Sequence, residues 1–209
     1  MRAYLGLAAA LALSACDSEE ARPWKTVEIA PFMGDAVMGD PAAPVEIVEY
    51  ASTTCGHCAA FHEQMLPQLK TRYIDTGRAR LRWIVMPTPP AEVSVAGAAI
   101  ARCAGEGKFF DVIADLFDSQ EEIIKAARSP RKLQEALVGL GGRHGLSADE
   151  VGSCVSDTNI QQLIIKAARA APETVTGTPT FFVGGQQVDE NSVEAIARVI
   201  DEKLAPPAN

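Results

Sequence analysis

The chain has 209 residues, 47% apolar and 22% charged, which suits one domain with a sizeable core, open to an insertion. Its formal net charge of −8 gives no electrostatic basis for binding nucleic acid. Arg2 is the one charged residue of residues 1–15, so removing that stretch would take the charge to −9.

Residues Met1 to Cys16 read as a secretory segment, with Arg2 as the positive end and Ala3 to Leu13 as an apolar run too short to span a bilayer. Leu13-Ser14-Ala15-Cys16 resembles the lipobox of bacterial lipoproteins, which implies cleavage before Cys16 and acylation of its sulfur. The alternative is an ordinary signal peptide with a chance cysteine. Asp17 resembles the residue that favours inner-membrane retention in enterobacterial lipoproteins. No later segment is long enough to cross a membrane.

Asp17 to Lys25 is polar and reads as a tether, Thr26 to Ile29 as an edge strand, and Gly34 to Pro44 as a turn-rich connection. Val45 to Tyr50 (VEIVEY) is a strand whose odd positions Val45, Ile47 and Glu49 share one face. A carboxylate among core residues at that strand end would have a raised pKa and could relay a proton to a neighbouring thiol. The alternative is a Glu49 that simply reaches solvent.

Cys55-Gly56-His57-Cys58 follows, at the start of a helix-like stretch. A C-x-x-C delivered by a strand onto the first turn of a helix reads as a redox site. The unpaired N–H groups and positive dipole end of that turn favour an anion, so the Cys55 thiolate is stabilised and becomes the attacking sulfur. Cys58, one turn in, closes the disulfide and is the more buried. Protonated His57 would add a second positive influence and tune the potential, since Gly56 carries no charge. Half a zinc site is the competing reading, but no second C-x-x-C exists, and His57 and His62 are too close in sequence to form the usual second ligand pair.

From Ala59 to Asp75, Phe61, Met65, Leu66, Leu69 and Tyr73 recur at helical spacing, with Pro67 predicted to kink the helix. Ala79 to Met86 is a second central strand. Ala91 to Ala171 then has helical periodicity only, with helices predicted over 91–104, 108–120, 129–139, 147–156 and 158–171. Ser129-Pro130 and Ser147 with Glu150 supply N-caps. His144 sits in a glycine-rich stretch and reads as solvated. The chain returns to strand at Thr180 to Val183, turns at Gly184-Gly185, and forms a short strand from Gln186 to Val188. A last helix follows, with Asn191 as N-cap and Glu194 three residues on.

The chain has five cysteines; with Cys16 lipidated and Cys55 paired with Cys58, Cys103 and Cys154 are left for a bridge that an oxidising compartment would preserve. Two buried free thiols are the alternative.

Taken together these residues resemble the DsbA-like thiol–disulfide oxidoreductases of the thioredoxin fold. The matching pieces are Gly39-Asp40-Pro41 with Ala43-Pro44 before VEIVEY, Cys55 to Cys58 with Phe61 and Pro67, Cys103-Ala104, and Gly177 to Phe182. The match runs from about Val27 to Leu204. It implies an α/β thioredoxin-like fold, a mixed sheet flanked by helices, with an inserted all-helical subdomain. The corresponding division is residues 1–15 as signal, 16–25 as tether, 26–90 and 172–209 as the two parts of the thioredoxin fold, and 91–171 as the insertion.

The resemblance implies a cis-Pro179 facing the disulfide, with Thr178 backbone groups left to pair with an extended substrate and metal kept from the thiols. It also puts Glu49 where the family carries its buried acid. No cofactor and no metal are implied. The expected activity is donation of a disulfide to exported proteins with free cysteines. The protein would be a periplasmic monomer, anchored through Cys16 to the inner membrane, and reoxidised by a DsbB-like membrane oxidase. Gly56 replaces the proline of many members, and the Gly-His pair resembles protein disulfide isomerases. A reductase or isomerase fed by a membrane electron donor is therefore the second expectation, and a non-catalytic metal- or protein-binding lipoprotein the third.

Overall fold

The structure, a computed structural model, describes residues 36–206. The lipobox with Cys16, the tether and the strand expected at Thr26 to Ile29 lie outside the described residues.

β2 (Val45–Ala51) is rich in β-branched side chains and is buried along both faces, so it takes the centre of the sheet. It pairs in parallel with β3 (Ala79–Val85) and antiparallel with β4 (Thr180–Val183). β1 (Ala36–Met38) adds to the free side of β3 and β5 (Gln186–Gln187) to that of β4, giving the order β1-β3-β2-β4-β5. β1 falls inside the stretch predicted to be only turns. A strand of three residues before Gly39, whose φ is +96°, carries too little periodicity to stand out. The Gly184-Gly185 turn joining β4 to β5 has φ of +54° and +81°, which glycine adopts freely.

Side-chain alternation divides the sheet into two faces. Val45 and Ile47 of β2, Leu81 of β3 and Phe181 and Val183 of β4 meet Phe61, Leu69, Ile196 and Ile200 in one core. These come from α1 (Gly56–Gln64), α2 (Leu66–Leu69) and α9 (Val193–Leu204). The opposite face buries Val48, Tyr50, Ile84 and Val175, and its open part pairs Glu46 with Arg80 and Arg82 at 2.8–3.1 Å. Pro67 acts as predicted. α1 stops at Gln64, α2 restarts with the proline in its first turn, and Lys70–Ile74 continues as a π-helical turn.

Between β3 and β4 the chain is helical, as the periodicity indicated: α3 (Ala91–Cys103), α4 (Phe109–Asp118), α5 (Gln120–Ala126), α6 (Pro130–Arg143), α7 (Ala148–Ser156) and α8 (Thr158–Arg169). They enclose a core of Ile100, Phe109, Ile113, Leu116, Leu140, Val151 and Ile164, continuous with Trp83, Ala51 and Cys58 of the sheet and site. Ser129 caps α6, and Ser147 with Glu150 forms the full capping box of α7.

Four expectations fail here. α5 was not foreseen, and α6 runs four residues past position 139, through glycines. Gly141 is needed because a Cβ there would lie 2.2 Å from Val151 Cγ2 of α7, so close helix packing outweighs poor helix propensity. His144 is the C-cap of α6, not a solvated loop residue. Its side chain is 14% exposed and Nε2 lies 2.9 Å from Asp115, which Arg143 also holds at 2.8 Å. α9 corrects the last cap as well: Ser192, not Asn191, accepts the hydrogen bond from the Ala195 N–H.

Candidate active site

β2 ends at Ala51, and Ser52, Thr53 and Thr54 turn the chain into α1. Ser52 Oγ sits 2.8 Å from Ser94 Oγ of α3 and 3.0 Å from Thr54 Oγ1, which donates to the Thr88 carbonyl at 2.8 Å. The Cys55 N–H donates to the Ser52 carbonyl at 3.1 Å. From the insertion, Gln120 Nε2 donates to the carbonyls of Thr53 at 2.9 Å and Cys55 at 3.1 Å. The loop is thus pinned from two sides before the helix begins.

Cys55 is the N-cap of α1, in extended conformation, with its sulfur part exposed; Cys58 is fully buried, and both are free thiols. Their acidities are driven apart. The Cys58 thiol donates to the Cys55 sulfur, holding the Cys55 pKa down at about 5 against the effect of burial. The Thr178 side chain and the backbone N–H groups of Cys58 and His57 lower it further. The same hydrogen bond and burial push the Cys58 thiol up, and Glu49 adds to this. His57 is exposed, and what it gives the Cys55 sulfur is its backbone N–H.

The Thr178–Pro179 bond is cis, and the Thr178 carbonyl lies 3.3 Å from Cys55 Sγ, so the loop before β4 lies directly against the outer sulfur. Asn191, freed from the capping role expected of it, donates through Nδ2 to the Pro179 carbonyl at 2.8 Å. Glu49 is 0% exposed, which removes the solvent-facing alternative. His62 Nε2 lies 3.1 and 3.0 Å from its two carboxylate oxygens.

The sequence reading missed His62, Gln120 and Asn191 as parts of the site. For His62 a signal was present: it is four residues after Cys58, and residues so spaced share a helix face. Away from this site, Cys103 at the end of α3 and Cys154 in α7 are joined by a disulfide, 51 residues apart. Among the described residues no cluster of His, Cys, Asp and Glu could hold a metal ion.

The family model for thioredoxin matches residues 33–202. A Rickettsia conorii protein, provisionally named a protein-disulfide oxidoreductase, is 32% identical over 173 residues, 81% of this chain and 60% of its own. Its Rickettsia typhi counterpart is 33% identical, over 81% of this chain and 62% of its own.

The chain belongs to the DsbA-like thiol–disulfide oxidoreductase family.

Among solved structures, Wolbachia pipientis α-DsbA1 superposes with a TM-score of 0.70 at 26% identity, covering 82% of this chain and 92% of that one. Bacillus subtilis BdbD shares the fold, with a TM-score of 0.68 at 17% identity over 88% and 99% of the two chains. This DsbA-like chain spans 60 and 62% of the two curated Rickettsia relatives, so its likeness to them extends over that part only.

Proposed function

We propose that this protein oxidises pairs of thiols in exported proteins by donating the disulfide of Cys55 and Cys58. The observation that carries the reading is the outer sulfur at the N-cap of α1 with its pKa held near 5. A substrate thiolate attacks Cys55 Sγ of the oxidised pair, the bond to Cys58 breaks, and Cys58 leaves and takes up a proton. The substrate's second thiolate then attacks the mixed disulfide and expels Cys55 as a thiolate. Two substrate thiols are oxidised and the enzyme pair is reduced by the same two electrons. Stabilising that leaving thiolate stabilises the reduced enzyme, which makes the disulfide a strong oxidant.

In this reading the Thr178 backbone pairs with an extended substrate segment, which its carbonyl 3.3 Å from Cys55 Sγ supports. Glu49 in this reading exchanges a proton with Cys58, which its burial and its upward effect on the Cys58 thiol support. The lipobox-like segment ending in Cys16 supports a periplasmic protein anchored to the inner membrane, where a DsbB-like membrane oxidase would regenerate the disulfide.

The test is to mix oxidised protein with a reduced, unfolded substrate and follow disulfide formation. Cys55→Ser should abolish it, and a variant that still forms disulfides would end the proposal. The direction of electron flow follows from the reduction potential: a value well above thioredoxin's, about −270 mV, supports donation, and a value near it supports a reductase.

A further inference from the structure

Each turnover puts a proton on Cys58 and takes one off, yet this sulfur is 0% exposed, and so is Glu49, whose charge acts on it. His62 bridges that gap. It lies one turn beyond Cys58 on the same face of α1, and its Nε2 reaches both Glu49 oxygens at 3.0–3.1 Å. Its ring is fixed between Phe61 at 5.7 Å and Phe117 at 4.7 Å between centroids. Its side chain is 8% exposed and lines a pocket of about 470 Å3, large enough for several waters. Glu63, Asp111 and Asp118 at the pocket are exposed.

We propose that His62 is the outer half of a proton path that links the buried Cys58 and Glu49 to water in this side pocket. It rests on the reading above, in which Cys58 is protonated and deprotonated at every cycle. When Cys58 leaves as a thiolate, the Glu49 carboxyl gives it a proton and is refilled from His62 Nε2–H. The imidazole regains its proton from pocket water at Nδ1, and the flow reverses when Cys58 attacks. His62 touches neither sulfur; it is a positioning residue that acts through Glu49.

The surroundings favour this over a histidine that only satisfies a buried carboxylate. Trp83, the β3 residue in register with Glu49, offers an indole that exchanges no proton, and its Nε1 has no partner among the described residues. The groups facing His62 are Cys58 on its own helix, Glu49 from β2, and around the pocket Glu63 of α1 with Asp111 and Asp118 of α4. Among the described pocket-lining residues none but His62 is basic.

The experiment uses the whole protein and its His62→Ala and His62→Gln variants. The rate at which Cys58 resolves a glutathione mixed disulfide on Cys55 is followed against pH, with and without added imidazole. His62→Ala should slow this step about 100-fold, the scale of one general acid–base group, and imidazole entering the vacated space should restore most of it. His62→Gln keeps an N–H for Glu49 but cannot carry a proton, so it should be equally slow and resist rescue. Wild-type rate and pH profile in His62→Gln would overturn the inference, as would a folded His62→Ala that imidazole leaves slow. Alkylation of Cys55 should be unchanged in both variants. A wild-type protein whose Cys55 fails to exchange with glutathione would instead defeat the reading on which the path rests.

Discussion

Cys55 and Cys58 stand at the start of a helix as free thiols, while Cys103 and Cys154 close a disulfide 51 residues apart within the helical insertion. Cys55 meets the N-terminal N–H groups of α1; Cys103 is the last residue of α3, where the dipole opposes a thiolate. The short pair constrains the unfolded chain little, and the long one constrains it strongly. One pair is set up to trade bonds and the other to keep one, and the difference lies in helix end and loop length, not in the sulfur.

The strongest way to break this contrast is Cys58→Ser. Turnover should fall below detection and substrate should accumulate as a mixed disulfide on Cys55, visible by mass spectrometry. Removing the other pair, with Cys103→Ala and Cys154→Ala together, should cost about 4 kcal/mol in denaturant unfolding for a loop of 51 residues. The same double variant should leave the pH midpoint of Cys55 alkylation where it was.

That midpoint should itself lie near 5, with alkylation about tenfold slower at pH 4 than at pH 7. Because folding depresses this thiol from 9.0 to about 5, the stability it lends the reduced protein is complete above pH 9 and gone below 5. The denaturation midpoints of reduced protein, measured from pH 9 down to 5, should lose ground to those of the oxidised form. The smallest effect is that of Gln120→Ala, which strips the Thr53 and Cys55 carbonyls of a shared donor and should cost about 1 kcal/mol of stability.

What could be read from the sequence was what repeats locally or is set by chain order. The alternation of β2, the helical spacing of the insertion, the Ser129 and Ser147 caps and the strand-to-helix setting of Cys55 all depend on neighbours in sequence. What could not be read depends on partners distant in the chain. Gly141 looks like a helix breaker until Val151 is set against it, and Asn191 looks like a cap until the Pro179 carbonyl is found 2.8 Å away. His62 and Glu49 are 13 residues apart on different elements, and only the packing of α1 on β2 makes them a pair.

Among the described residues the sheet ends in strands of three residues at β1 and two at β5. Long bare margins would let an unfolded polypeptide zip on and stay, a hazard for any protein whose clients arrive before they have folded. On the proposed function, the contact that matters is the one at the reactive sulfur, where the visitor's departure is built into the chemistry.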